Sequence, residues 1–378
     1  MLKGDFKTMM KKFFFLIVAV FLHFICTEAF ALQLIGVPEG VWVRSYISWD
    51  DEQVIGGLVN LVKIASQPTR GRFDLLFSRD ELCEESSYIT SKTYQLKREN
   101  LQDLSHLCHK EDGKSLKFLF ISDSQMHEDA HKNTAQFIKQ LHQNDLEIRF
   151  LLHAGDISQK GDSKHYEAYD KISTSIHSKT IPIVPVIGNH EYYKDGQLDR
   201  RNWFWATDST SKGFYVIDYG HVALIVLNSN IAQLSKEERR EQTSWLRKIL
   251  QKLKGQKTII AAFHHPIFTS GYGSILMPVS PIYINYEWQP LFEEAGVKLV
   301  LNGHVHIYER LLVNGVRYIT AGPAGGSLYP TKPVESRYSE KLVPKTRTVT
   351  KVEVMTNGDI VIKAYDAMSG NLIDDFAF

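Results

Sequence analysis

Five apolar, strand-like runs between residues 116 and 306 each end in polar side chains of types that can bind metal ions, and this repetition constrains the fold more than any other feature. Leu116 to Ser122 ends in Asp123-Ser124-Gln125. Ile148 to His153 leads into Gly155-Asp156. Ile183 to Ile187 is followed by Gly188-Asn189-His190-Glu191. Thr258 to Phe263 is followed by His264-His265-Pro266, and Lys298 to Leu301 leads to Gly303-His304-Val305-His306. Ligands of open α/β sheets sit outside the carboxyl ends of strands, so loops far apart in sequence can converge on one point there.

The intervening segments read as helices and hairpins. Ala130, Phe137, Ile138 and Leu141 fall on one helical face. Phe214 to Asp218 and Val222 to Leu227 flank Tyr219-Gly220 as a hairpin. Ser235 and Glu238 have the spacing of a capping box, which opens a helix through Trp245, Leu246 and Leu250. Trp288 to Ala295 predicts another helix, and Asn314-Gly315 and Asn357-Gly358 predict hairpin turns. Strands alternating with helices, and hairpins late in the chain, predict a mixed α/β class of mixed sheets covered by helices.

The first part of the chain has a different texture. Lys3, Lys7, Lys11 and Lys12 precede a nearly unbroken apolar run from Phe13 to Ile25, and Ala29-Phe30-Ala31 supplies a small-residue cleavage pattern. Residues 1–31 therefore read as an export signal. An uncleaved anchor is the competing reading, but spanning a bilayer takes about 20 apolar residues. The expected mature chain starts near Leu32, is secreted or periplasmic, and has no transmembrane span. Cleavage removes four lysines, one aspartate and one glutamate and moves the formal charge from +1 to −1. Such a balance argues against nucleic acid as the main partner. Cys83 and Cys108 then remain, able to form one disulfide in an oxidising compartment or to stay as buried free thiols. Residues 32–115 read as a small β-rich N-terminal module of unknown role, closed by the polar break Lys110-Glu111-Asp112-Gly113-Lys114. Residues 116–378 read as the catalytic domain.

The residue types at the five strand ends suit one task. Carboxylates, side-chain amides and imidazoles together form a mixed oxygen/nitrogen donor set, which favours manganese, iron or zinc. Asp156 on its Gly turn can bridge two ions, and a pair about 3.5–4 Å apart can deprotonate water and hold a phosphoryl oxygen during in-line displacement. Each motif alone has a plainer reading: Gly-Asp is a turn, and Asp123-Ser124-Gln125 a strand-end cap. His304 and His306 share one side of an extended segment. His153 reads as a core histidine or a support behind the site, and His127 and His131 as parts of a solvated helix start. Glu191 and Glu309 read as loop anchors, and Tyr166 and Tyr169 as helix packing. Tyr283, Tyr286 and Trp288 are either core or an aromatic wall over the site.

In this order the motifs resemble those of the calcineurin-like metallophosphoesterase superfamily, and within it purple acid phosphatase-like proteins. The run Gly303 to Arg310, and Ile319-Thr320-Ala321-Gly322 through Gly325-Gly326, carry the second resemblance. It implies a four-layer fold of two packed mixed β-sheets flanked by helices. It also implies two divalent metal ions, with Asp123, Asp156 and His306 holding the first and Asp156, Asn189, His264 and His304 the second. His190 would donate a proton to the leaving oxygen or stabilise the transferring phosphoryl group, and His265 would touch substrate. Gln125 stands where the superfamily commonly has a His ligand, which makes it a weaker candidate ligand to the first ion. Gln159 stands where purple acid phosphatases have a Tyr ligand to iron, so neither a purple colour nor a firmly held ferric ion is expected. The implied function is an exported, acid phosphatase-like phosphomonoesterase that acts on a small-molecule phosphate ester by attack of a metal-bound hydroxide. Alternatives are a phosphodiesterase or nucleotide pyrophosphatase on the same centre, and a catalytically silent metal-binding interaction protein. The sequence is silent on oligomeric state.

Overall fold

The computed structural model describes residues 113–176, 181, 183–192, 213–271, 279–329 and 335–378. The expected export signal, nearly all of the N-terminal module and the Cys83–Cys108 pair lie outside the described residues. Strands β1 (Leu116–Ile121), β2 (Ile148–His153) and β3 (Ile183–Pro185) run parallel side by side. Three late strands, β11 (Thr348–Val354), β12 (Ile360–Asp366) and β13 (Leu372–Ala377), return to extend this sheet antiparallel from the other edge of β1. The second sheet holds β4 (Tyr215–Tyr219), β5 (Val222–Val226), β6 (Thr258–Ala262), β7 (Leu299–Asn302), β8 (Tyr308–Val313), β9 (Val316–Thr320) and β10 (Ser339–Val343), in the order β10-β8-β9-β7-β6-β5-β4. Its central strands β5, β6, β7 and β9 are parallel.

Side chains alternate along each strand, so one face of each sheet meets the other sheet. Phe118, Phe120, Phe150 and Leu152 of the first sheet share a core with Leu224, Ile260, Leu299 and Leu301 of the second. The outer face of the first sheet, with Leu119, Ile121 and Leu151, packs against α1 (Glu128–Asn144) and α2 (Ser163–Ile176). The outer face of the second, with Ala223, Ile225 and Val300, packs against α3 (Lys236–Leu253), α4 (Val279–Glu287) and α5 (Gln289–Ala295). Both faces of the central strands are covered, which is why they read as unbroken apolar runs. The result is the expected four-layer sandwich of two mixed sheets between helices. Among the described residues, no helix is long and apolar enough to cross a membrane.

Local signals translate well. Ser235 caps α3 through the Glu238 N–H at 3.2 Å, and Glu238 Oε2 accepts from the Ser235 N–H at 2.8 Å, closing the capping box. Asn314 and Gly315 take positive φ values of 49° and 82° between paired Val313 and Val316, the two-residue turn that their side chains allow. Asn357-Gly358 instead lies within a longer connection between paired Val354 and Ile360.

Three expectations need correction. The buried stripe of α1 is His131, Thr134, Ala135 and Ile138, with Phe137 and Leu141 only partly buried beside it. His131 is not on a solvated helix start: its ring stacks on Tyr169 at 5.0 Å, and Thr134 donates to the Ala324 carbonyl at 2.8 Å. Polar residues with their own partners occupy this packed face, and an apolar-period reading passes over them. Trp288 is the residue before α5 rather than part of it, and α4 precedes it. Of the two readings of the aromatic cluster, the core one holds for Trp288 and Tyr283, which lie in the outer core of the second sheet, whereas Tyr286 is exposed.

Asp145, just after α1, ties that helix to the first sheet through Lys351 of β11 and Lys117 of β1. Burial opposes its ionisation, but Lys351, the Glu147 N–H and Lys117 together outweigh burial and hold the carboxyl below its ordinary value. A depressed carboxylate stabilises the fold above the unfolded pKa, about 4, and loses that contribution as the pH falls through the lower folded value. Asp145→Asn is expected to cost about 1 kcal/mol at neutral pH, with the difference from wild type shrinking below about pH 4. Urea unfolding at neutral and acidic pH measures this, and a gap that persists in acid would contradict it.

Candidate metal centre

The carboxyl ends of β1, β2 and β3 meet those of β6 and β7 at one end of the sandwich. The loops after β1 and β2 are joined by backbone bonds, Asp123 N to Gly155 O and Ser124 N to Asp156 O, both 3.0 Å. The Asp123 carbonyl accepts from the Gly325 and Gly326 N–H groups at 2.9 and 2.8 Å. Gly188 lies so close to Asp156 that a Cβ there would stand 2.2 Å from the Asp156 nitrogen, so only glycine fits. Asp123, Asp156 and His304 have φ of 51°, 52° and 67°, in the left-handed region that non-glycine residues rarely adopt. Such strain persists where the surroundings fix it, and it clusters at functional sites.

The side chains these loops present converge. Asn189 Oδ1 lies 3.0 Å from His264 Nε2 and 2.9 Å from His304 Nδ1, and those two nitrogens are 3.3 Å apart. Asp156 Oδ2 is 3.3 Å from His264 Nε2, 3.4 Å from Gln125 Nε2 and 3.8 Å from His190 Nε2. His306 Nε2 faces Asp123 Oδ1 at 3.5 Å. The structure thus brings Asp123, Gln125, Asp156, Asn189, His190, His264, His304 and His306 into one cluster. Gln125 reaches it through its amide nitrogen. His265 stands at the edge, its ring 4.5 Å from that of His304.

The histidines are held in defined orientations. His264 Nδ1 lies 2.8 Å from the Ala154 carbonyl, and a carbonyl can only accept. Nδ1 therefore carries a hydrogen, and Nε2 is the nitrogen turned to the cluster, able to give a lone pair to a cation or to take a second proton. His306 Nδ1 is likewise on the Ser327 carbonyl, and His190 Nδ1 is 2.9 Å from the Gln159 carbonyl.

Charge is distributed unevenly. Burial alone would raise Asp123 and Asp156, but the imidazoles of His306 and His264 hold Asp123 below its usual range, and His264 and His190 do the same for Asp156. Burial opposes a charge on His264, yet Asp156 and then Asp123 pull it up to about 9. His304 goes the other way, down to about 4, under burial and the neighbouring His264 charge. Asp156 raises His190 against the effect of burial. A buried cluster of this kind demands positive charge, which protons supply when no cation does.

The donor set itself fits divalent cations. Asp123 Oδ1 and Gln125 Oε1 are buried and accept no hydrogen bond among the described residues. His264, His265 and His304 bring one ligand atom each to within 4.8 Å of one another, as do Asp123, Asp156 and His264. His264 belongs to both groups.

Supporting residues complete the picture. Glu191 and Glu309 are the loop anchors expected: Glu309 accepts from the Ser270 N–H at 2.7 Å and the Thr269 hydroxyl at 3.1 Å. His153 supports the site from behind, bonded to the Ser124 hydroxyl at 2.9 Å. Sequence reasoning missed Ser122, which bonds Asp123, and Tyr329, stacked on His306 at 5.3 Å. It also missed Ser229, bonded to His265 Nδ1 at 2.9 Å. Ser229 was recoverable, because β5 is a sixth apolar run that ends in a polar triplet, Asn228-Ser229-Asn230.

Comparison with known proteins agrees with this fold. Purple acid phosphatase 15 of Arabidopsis thaliana is 27% identical over 142 residues, which is 34% of this chain and 25% of that protein. The chain thus spans about a quarter of the length of that relative. The purple acid phosphatase PPD1 from yellow lupin (Lupinus luteus) seeds is similar in structure, with a TM-score of 0.59 and 18% identity over 71% of this chain and 54% of that one. GAP50, the anchor in the inner membrane complex of Plasmodium, gives a TM-score of 0.57 and 20% identity over 70% of this chain and 88% of that one. At these identities the structural likenesses speak for the fold. Residues 116–308, just over half the chain, match the calcineurin-like phosphoesterase family; with the strand-end cluster in place, the chain belongs to that family, whose members use divalent metal ions.

Proposed function

We propose that the protein hydrolyses phosphate esters with the help of two divalent metal ions, and that its substrates are small phosphomonoesters. The observation that carries this reading is the position of Asp156, whose Oδ2 lies within 3.8 Å of nitrogens from His264, Gln125 and His190. Asp123, Asp156 and His306, with Gln125 beside them, would hold one ion. Asp156, Asn189, His264 and His304 would hold the other. When bound, such a pair supplies Lewis acidity and makes water nucleophilic near neutral pH.

The chain's own groups complete the reaction. His190 is anchored at Nδ1 by the Gln159 carbonyl, and its backbone N–H donates to Asp156 Oδ1 at 2.9 Å. Its Nε2 is left facing the cluster, and the Asp156 carboxylate favours a proton there. A protonated imidazole at this point can donate to the leaving oxygen. The sequence likeness to a purple acid phosphatase supports a phosphatase reading of the centre. The second reading is a catalytically silent metal-binding interaction protein; GAP50, an anchor, shares the fold. We also place the protein outside the cytoplasm, on the export-signal pattern of residues 1–31; N-terminal sequencing of the exported chain should then begin near Leu32.

Metal analysis coupled to turnover of simple aryl mono- and diesters, beside a chelated control, tests the proposal. Two ions per chain, with metal-dependent monoester hydrolysis, is the expected result. Metal-loaded protein that turns over neither ester would favour the interaction reading. Asp156→Asn is expected to lower kcat/KM by about 10³-fold and to release metal; full metal content and turnover would remove Asp156 from the bridging position. His190→Ala is expected to lower kcat by about 10²-fold with metal content intact. Metal loss in that variant would instead make His190 a ligand.

A further inference from the structure

His264 and His265 are adjacent in sequence, yet their supports differ in kind. The carbonyl behind His264 puts a hydrogen on Nδ1 and turns Nε2 toward the cluster. Behind His265 stands the Ser229 hydroxyl, which is both donor and acceptor. Ser229 Oγ accepts the His265 backbone N–H at 3.0 Å and lies 2.9 Å from His265 Nδ1. Ser229 is wholly buried, and among the described residues its hydroxyl hydrogen has no acceptor other than Nδ1. A buried hydroxyl spends its hydrogen where an acceptor exists, so Nδ1 accepts and Nε2 carries the hydrogen. That Nε2 is buried, faces no partner among the described residues, and belongs to a ring 4.5 Å from His304 and 5.0 Å from His264. A buried N–H without an acceptor in the protein is costly, and it calls for an acceptor from outside the chain.

We propose that Ser229 is a positioning residue that holds His265 as the Nε2–H tautomer, so that His265 donates a hydrogen bond to a phosphoryl oxygen of the substrate and ligates no metal. Two neighbouring imidazoles thus do opposite jobs, His264 presenting a lone pair and His265 a hydrogen. The β5 loop that carries Ser229 is itself tied down by hydrogen bonds. The Asn228 N–H donates to Gln242 Oε1 at 2.7 Å, the Gln242 amide returns a bond to the Asn228 carbonyl at 3.0 Å, and Asn230 donates to the Ile187 carbonyl at 3.1 Å. The role toward substrate rests on the phosphoesterase reading above; the tautomer does not.

The test uses full-length, zinc-loaded protein labelled with ¹⁵N-histidine, with the His265 signals assigned by their loss in His265→Gln. Long-range ¹H–¹⁵N spectra should place the hydrogen on Nε2 in the wild type and in Ser229→Thr, and should show it redistributed toward Nδ1 in Ser229→Ala. Affinity for inorganic phosphate should fall about 10-fold in Ser229→Ala and recover in Ser229→Thr, with the zinc content equal in all three. If Ser229→Ala does not fold, Ser229→Cys, a weaker donor of similar shape, should move the spectrum and the phosphate affinity in the same direction. A hydrogen on Nδ1 in the wild type, zinc loss in Ser229→Ala, or an unchanged phosphate affinity there would each overturn the proposal. Absence of ester turnover by wild-type protein would overturn only the phosphoesterase reading, since the tautomer and the phosphate titration still decide this one.

Discussion

The arrangement depends on a carboxylate that takes no part in the proposed reaction. Glu191 is fully buried and accepts three backbone N–H groups, from Gly188 at 2.7 Å, Asp156 at 2.9 Å and Ser158 at 3.1 Å. It thereby joins the end of β2 to the end of β3. Burial and the nearby Asp156 charge push it up to about 7, while the backbone donors pull the other way. Leaving those donors unpaired in a dry interior would cost about 1–3 kcal/mol each. The loop that places Asp156 therefore cannot relax independently of the loop that places Asn189 and His190.

Strain is distributed in the same spirit. The left-handed residues Asp123, Asp156 and His304 are ones that glycine would fit with less strain, but glycine has no side chain to present. Bonds between loops hold them instead: the His304 N–H donates to Asp123 Oδ2 at 2.9 Å, and the Asp123 carbonyl is fixed by two glycine N–H groups. Each strained residue is secured by a loop from elsewhere in the sequence, so no one loop sets its conformation alone.

Much of this was legible in the sequence, for a physical reason. Strands covered on both faces are apolar throughout, so a polar residue at the end of β1, β2, β3, β6 or β7 stands out against a uniform background. The same contrast failed where polar groups are internally paired. His131 and Thr134 sit on the packed face of α1 because a tyrosine ring and a carbonyl receive them, and no period of apolar residues records that. Ser229 went unseen because serine at a strand end is usually a turn residue, and its partner lies 36 positions away. Sequence order named candidates that the fold gathers into one cluster; hydrogen-bond directions, such as the opposed supports of His264 and His265, appear only with the backbone in place.

The path of the chain between the two sheets bears on how the protein is made. The first sheet is begun by β1 to β3, left for the whole of the second sheet, and completed only by β11 to β13. On a ribosome, any early sheet has β1 as an open edge until residues 348–354 emerge. Asp123 stands at the end of that strand, and its partners His304 and His306 come from the second sheet. The cluster is thus a seam between the sheets: Asp123 cannot meet its partner His304 until a stretch 181 residues further along the chain has been made.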